Sequence, residues 1–200
     1  MSCSARRLLI TGRPGVGKST LFSRLVGELK RLGCKVGGIA APEARGPSGR
    51  REGFYIVDLA SGERAWLARV GAGRGPRVGR YTVLVDSAER LGVGALRRAL
   101  EGADVIAIDE VGPMELAVPS LREAILEAAR AAKPLLAVVH ARLASRDPVV
   151  HGVLAANSRI VEVTLDNRGI LASKAPELAG WLVDGGRCCG RRGEGPRLDT

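Results

Sequence analysis

One stretch near the start of the chain, Gly12-Arg-Pro-Gly-Val-Gly-Lys-Ser19, restricts the fold more than any other. It fits GxxxxGK[ST], a pattern expected by chance about 0.007 times in a chain of this composition. Its surroundings match the mechanism. Arg7 to Thr11 before it is an apolar, strand-like run, and Lys18 to Leu32 after it carries Leu21, Phe22, Leu25, Val26 and Leu29 at helical spacing. In such a strand–loop–helix unit, Gly12, Gly15 and Gly17 let successive backbone N–H groups turn inward around a phosphate, aided by the positive end of the helix. Lys18 then reaches the β- and γ-phosphates, the Ser19 hydroxyl suits Mg2+, and Thr20 suits the α-phosphate. Pro14 and Val16 complete the loop; Arg13 either points to solvent or adds charge near the γ-phosphate.

Beyond this unit, apolar runs alternate with helix-length amphipathic stretches, which predicts an α/β fold with a parallel sheet flanked by helices. Strands are predicted at Val36 to Ala41, Asp104 to Asp109, Leu135 to His140 and Ile160 to Thr164. Helices are predicted from Ser87, as cap, to Glu101, from Pro119 to Ala132, from Pro148 to Ala156, and, after the strand Ile160 to Thr164, in a last helix ending at about Leu182. Between Pro42 and Val70 the pattern reads as an inserted β-ribbon, with Gly53 to Leu59 and Arg64 to Ala68 joined by a Ser61-Gly62 turn. Residues 71–80 hold four Gly, a Pro and three Arg and read as an exposed loop. Length and pattern give one domain over 1–183, followed by a Gly/Arg tail over 184–200 expected to add nothing to the core.

Val105-Ile-Ala-Ile-Asp109-Glu110 is a buried-type strand ended by two carboxylates. Placed after a phosphate loop, this is the Walker B pattern, in which Asp109 holds Mg2+ through water and Glu110 orients and deprotonates a water in line with the γ-phosphate. A carboxylate beside the metal ligand favours hydrolysis over transfer. Asp109 to Gly112 also fits the DxxG of GTPases, but no NKxD is present to read guanine.

Charge and cysteines bound the partners. Residues 1–100 hold 19 Lys and Arg against 7 acids, and residues 101–200 hold 12 against 14, so the basic excess lies wholly in the first half. A polyanion, nucleotide or nucleic acid, explains that asymmetry, as does solvated surface arginine. The six aromatics are scattered and give no RNA-recognition pattern, so nucleic acid is a possible but unfavoured partner. Cys3, Cys34 and the adjacent Cys188 and Cys189 fit neither zinc nor secreted disulfide spacing, which makes reduced thiols the default; a hyperthermophilic source would leave a structural disulfide open. No apolar run approaches the eighteen or so residues of a membrane span, and the start lacks the apolar region of a secretory signal. A cytoplasmic monomer is the expectation.

Several further motifs accompany the phosphate loop and the acids: Val36-Gly-Gly-Ile39, Arg51-Glu-Gly-Phe-Tyr-Ile-Val-Asp58, Gly79-Arg-Tyr81, Ile108-Asp-Glu-Val-Gly-Pro-Met-Glu-Leu116, Val139-His140 and Thr164-Leu-Asp-Asn-Arg168. Together, over about residues 6 to 182, the chain resembles the small P-loop nucleoside-triphosphatases first described in hyperthermophiles, whose animal member is called cancer-related nucleoside-triphosphatase. The resemblance implies a RecA-like α/β core with an inserted β-hairpin, and Mg2+-dependent hydrolysis of ATP, GTP and other nucleoside triphosphates with little base preference. Three positions depart from the family pattern: Pro113 stands where Lys is usual, Arg13 where Pro is common, and Ala141-Arg142 where paired Arg is frequent. They leave the cation that neutralises the transition state open.

His140 ends the strand after the acidic one, where a polar side chain either contacts the γ-phosphate or its attacking water, or bonds nearby backbone. Arg142 and Arg146 follow as candidate arginine fingers or surface residues. Asn167 and Arg168 stand where a P-loop fold holds the base, with helix capping by Asn167 as the alternative. The alternatives to a triphosphatase are a nucleotide or cofactor kinase and a nucleic-acid-binding ATPase.

Overall fold

Among the described residues ten strands form one sheet: β1 (Arg7–Thr11), β2 (Val36–Ala40), β3 (Glu43–Arg45), β4 (Arg51–Asp58), β5 (Arg64–Val70), β6 (Arg77–Val78), β7 (Tyr81–Val83), β8 (Val105–Val111), β9 (Leu135–Val139) and β10 (Ser158–Glu162). The computed structural model describes residues 5–71 and 73–190, so Cys3 and the tail beyond Gly190 lie outside the described residues. The order is β10-β1-β9-β8-β2-β4-β5-β7-β6, with β3 on β4. The first five are parallel to their neighbours and the rest antiparallel.

The helices are α1 (Lys18–Arg31), α2 (Val85–Ser87), α3 (Gly94–Gly102), α4 (Pro113–Leu116), α5 (Pro119–Arg130), α6 (Leu143–Arg146), α7 (Pro148–Ala155), α8 (Arg168–Ser173) and α9 (Ala175–Leu182). Strand alternation divides the core into two layers. Ile106, Ile108, Leu135 and Ala137 pack with Leu96, Leu121 and Ile125 of α3 and α5. Leu8, Ile10, Leu136 and Val138 pack with Leu21, Phe22 and Leu25 of α1 and Leu178 of α9. All five residues of β9 are buried, as a strand covered on both faces requires. Because β9 lies between β1 and β8, its end opens between the phosphate loop and the acidic pair.

Several expected elements differ in detail. Ser87 caps nothing: the helix begins at Val85 and passes through a π-helical segment, Ala88–Val93, before α3. The expected last helix is two, because Pro176 in the first turn of α9 removes a donor and crowds the preceding turn. The antiparallel ribbon runs on to Val83, and β6 occupies part of the expected 71–80 loop. Val78 pairs with Tyr81 across a two-residue turn, which Gly79 at φ +60° permits.

The cysteines overturn the expectation of reduced thiols. Cys34, after α1, is bonded to Cys189, with Cα atoms 4.4 Å apart and a sequence separation of 155; Cys188 is also disulfide-bonded. The described part of the tail is therefore fixed to the core. Both Cys188 and Cys189 pack against the α1–α9 layer, and Arg6 pairs with Asp184 at 3.1 Å. No local spacing announces a link between positions so far apart. Cys34→Ser is expected to lower the unfolding free energy by about 2 kcal/mol or more, read from guanidinium midpoints without reductant; an unchanged midpoint would assign the link no role in stability.

Candidate active site

The phosphate loop has the backbone its glycines suggest. Gly12, Gly15 and Gly17 hold φ values of +140°, +79° and +110°, and a Cβ on Gly12 would overlap the Val163 carbonyl oxygen. Gly17 caps α1 without a side-chain bond, and no acid stands in the first turn, so the helix keeps its positive end for an anion. Lys18 is buried and its Nζ donates to the Arg13 carbonyl at 3.1 Å. Arg13, Pro14, Ser19 and Thr20 are exposed, while Val16 packs into the α1 layer.

The acidic strand end meets this loop across β9. The Ser19 hydroxyl donates to Asp109 Oδ1 at 3.3 Å. Burial pushes the Asp109 carboxyl up to about 6, against the Ser19 hydroxyl and the Lys18 charge, which favour ionisation. Glu110 is half-buried and also raised, first by burial and then by Asp109, with Lys18 opposing. β8 continues to Val111, so Glu110 sits inside the strand rather than in the following turn.

A third carboxyl, not singled out as a site residue by sequence reasoning, completes the group. Glu115 is 4% exposed and accepts the Gly112 N–H at 3.0 Å, capping α4. Its signal was the spacing of three residues from the Gly112 turn, that of a capping box. Burial first, then the charges of Glu110 and Asp109, push it up to about 8, against its bonds to backbone N–H groups. An acid raised from 4.5 contributes stability that is full below the unfolded value and lost as pH rises toward 8. The chain should therefore lose stability over that interval on the order of 1 kcal/mol per pH unit. Glu115→Gln, which imitates the protonated acid, should match the parent's guanidinium midpoint near pH 4.5 and exceed it near pH 8; parallel curves would mean that Glu115 is ionised throughout.

His140 follows β9 directly, and its N–H donates to the Val111 carbonyl at 3.1 Å, tying the two strand ends. Its Nδ1 accepts the Arg142 backbone N–H at 3.1 Å, which leaves the proton of the neutral ring on Nε2. Burial lowers its pKa, as do the charges of Arg146, Lys18 and Arg142. His140 lines a cavity of about 330 Å³ with Gly112, Pro113, Leu143, Arg146 and Asp147. Arg122 grips both oxygens of Asp147 at 2.6 and 3.0 Å, and Asp147 caps α7, so this wall is anchored. Arg146 in this lining is exposed, as is Arg142, two residues after His140.

Asn167 spends its side chain on the loop itself. Its Oδ1 accepts from the Thr164 N–H at 2.8 Å and its Nδ2 donates to the Glu162 carbonyl at 2.9 Å, so it holds the turn after β10 and makes no cap bond to α8. Arg168 stands beside the phosphate loop, with its Cδ 3.9 Å from where a Gly17 Cβ would lie.

A glycine loop between strand and helix, joined by Ser19 to an acid two strands away, is the arrangement of P-loop nucleoside-triphosphate-binding proteins. More narrowly, the chain belongs to the NTPase family, whose family model matches residues 7–175. It is similar to the nucleoside-triphosphatase THEP1 of Thermofilum pendens, 45% identical over 177 residues, covering 88% of this chain and 94% of that one. It is likewise similar to nucleoside-triphosphatase THEP1 of Methanopyrus kandleri, 46% identical over 180 residues, covering 88% and 97%. The crystal structure of THEP1 from the hyperthermophile Aquifex aeolicus superposes with a TM-score of 0.73 at 29% identity, over 86% of this chain and 98% of that one.

Proposed function

We propose that the chain is a Mg2+-dependent nucleoside-triphosphatase, acting as a cytoplasmic monomer, that converts ATP, GTP and other nucleoside triphosphates to diphosphate and phosphate with broad base tolerance. The observation that carries this reading is the Ser19–Asp109 hydrogen bond, which joins phosphate loop and acidic strand end with Glu110 adjacent. The THEP1 relatives, named nucleoside-triphosphatases, support it.

The donors fit Mg2+: Ser19 and Asp109 offer hard oxygens, and among the described residues no three His, Cys, Asp or Glu side chains form an all-protein cage. When bound by Ser19 and Asp109, Mg2+ would neutralise negative charge on the phosphates. The loop amides and Lys18 bind the phosphate oxygens. Glu110 takes a proton from a water whose oxygen attacks the γ-phosphorus, and the bond to the β-phosphate oxygen breaks in line with its electron pair leaving on the diphosphate. His140, with its proton on Nε2, and Arg142 serve as contacts to the γ-phosphate or the water. Arg168 lies beside the phosphate loop, and the Asn167 amide is committed to backbone in the turn after β10 rather than to a base, which supports weak base discrimination.

The experiment is a steady-state screen of ATP, GTP, CTP, UTP and the deoxynucleotides with products identified. Phosphate released without an acceptor, at kcat/KM values within about ten-fold of one another, is the expected result. A second reading, phosphoryl transfer, is favoured by the cavity beside His140, which has room for a small acceptor. Turnover that requires an added nucleoside or cofactor would decide for it.

A further inference from the structure

The six aromatics lie apart in sequence, but the sheet register gathers four of them on the antiparallel ribbon in two pairs. Tyr55 and Trp66 oppose one another across β4 and β5, with ring centroids 4.3 Å apart. The Arg64 guanidinium lies 5.1 Å from the Tyr55 ring and that of Arg69 lies 4.8 Å from the Trp66 ring. The result is a stack in the order Arg, Tyr, Trp, Arg. A second pair, Phe54 and Tyr81, meets edge to face, with centroids 5.3 Å and ring planes 76° apart, and Arg51 and Arg80 lie 5.4 and 5.2 Å from its rings. Phe54 pairs with the core residue Ala68 and Tyr81 packs against the α3–α5 layer, so this pair belongs to the inner face.

Alternation along β4 and β5 puts Tyr55 and Trp66 on the face opposite Ile56 and Ala65, which turn to the α3–α5 layer. Register brings Arg77 to the same outer face, since Gly53, Arg69, Thr82 and Arg77 form one cross-strand row. The face is basic. Between residues 43 and 83 the sequence holds eight Arg and four acids, and every one of the acids is engaged: Glu43 by Arg45 and Arg51, Glu52 by Arg69, Asp58 by Arg98 and Glu63 by Arg90. Arg50, Arg64, Arg74, Arg77 and Arg80 have no carboxylate partner among the described residues. The position is also specific. Asp109, Ala40, Val57 and Arg64 form a continuous row across β8, β2, β4 and β5, so the stack begins about 15 Å, three strand spacings, from the acidic strand end.

We propose that this outer ribbon face binds single-stranded nucleic acid, with unpaired bases stacking on the Tyr55–Trp66 pair and its flanking guanidiniums while the phosphates meet the unpaired arginines. Ring faces flanked by cations suit exposed bases of any identity, whereas a duplex keeps its base faces covered. The inference stands apart from the hydrolysis reading, because none of these residues belongs to the nucleotide site.

The test is fluorescence anisotropy with labelled oligouridine and oligothymidine of about 15 nucleotides, the two arms separating RNA from DNA. Binding at low salt that weakens steeply as salt is raised is expected. Tyr55→Ala with Trp66→Ala should weaken it at least about ten-fold, and Trp66→Phe should retain most of it. NTP hydrolysis by these variants should match the parent. In Trp181→Phe protein Trp66 is the remaining tryptophan, and its emission should be quenched by the oligonucleotide; this readout decides the matter should the alanine pair fail to fold. Three outcomes overturn the proposal: no binding at low salt, alanine variants that bind like the parent, or a duplex that competes as well as the single strand. Any of them would leave the stack a stabilising device of the ribbon.

Discussion

Glu110→Gln is expected to retain triphosphate binding while lowering turnover at least on the order of 10²-fold. The substitution keeps side-chain volume and leaves Lys18, Ser19 and Asp109 in place, so the phosphate grip persists. What it removes is the proton acceptor. It also removes one negative charge near the phosphates, so affinity should hold or rise slightly. Equilibrium titration with a fluorescent triphosphate, paired with single-turnover hydrolysis, separates the two effects. Near-normal turnover would take Glu110 out of the mechanism and return the proton to solvent or phosphate.

Lys18→Met should be more damaging, with turnover falling about 10³-fold and triphosphate affinity weakened. Lys18 is buried beside Asp109 and Glu110, and its charge opposes the burial that raises both acids. Its Nζ rests on the Arg13 carbonyl, a neutral partner that a phosphate readily replaces. Met fills similar space without charge, so the fold should survive. Titrations with tri-, di- and monophosphates provide the check: the loss should shrink as the β- and γ-phosphates are removed. An equal loss for all three would mean that the variant has disturbed the loop as a whole.

The parts of this molecule legible in sequence are those whose causes are local. β1 and α1 follow from neighbouring apolar residues, and the phosphate loop follows from glycines whose positive φ values its chemistry needs. The contact of Ser19 with Asp109 was inferable because each motif carries its own structural context. What escaped was decided by register. Tyr55 and Trp66 become neighbours only when β4 and β5 pair, and Glu115 becomes a buried acid only when α4 folds back on β8. The Cys34–Cys189 link joins segments that no spacing rule connects.

That link also changes what a cut in the backbone does. Cys34 and Cys189 close a covalent ring containing Asp109, Glu110, the whole ribbon and His140, while the phosphate loop hangs outside it. A protease that nicks the chain once, at the exposed glycines around Gly73 for example, opens the ring without releasing either piece. The nicked protein should run as a single species on a denaturing gel until thiol is added, and only then separate into two fragments.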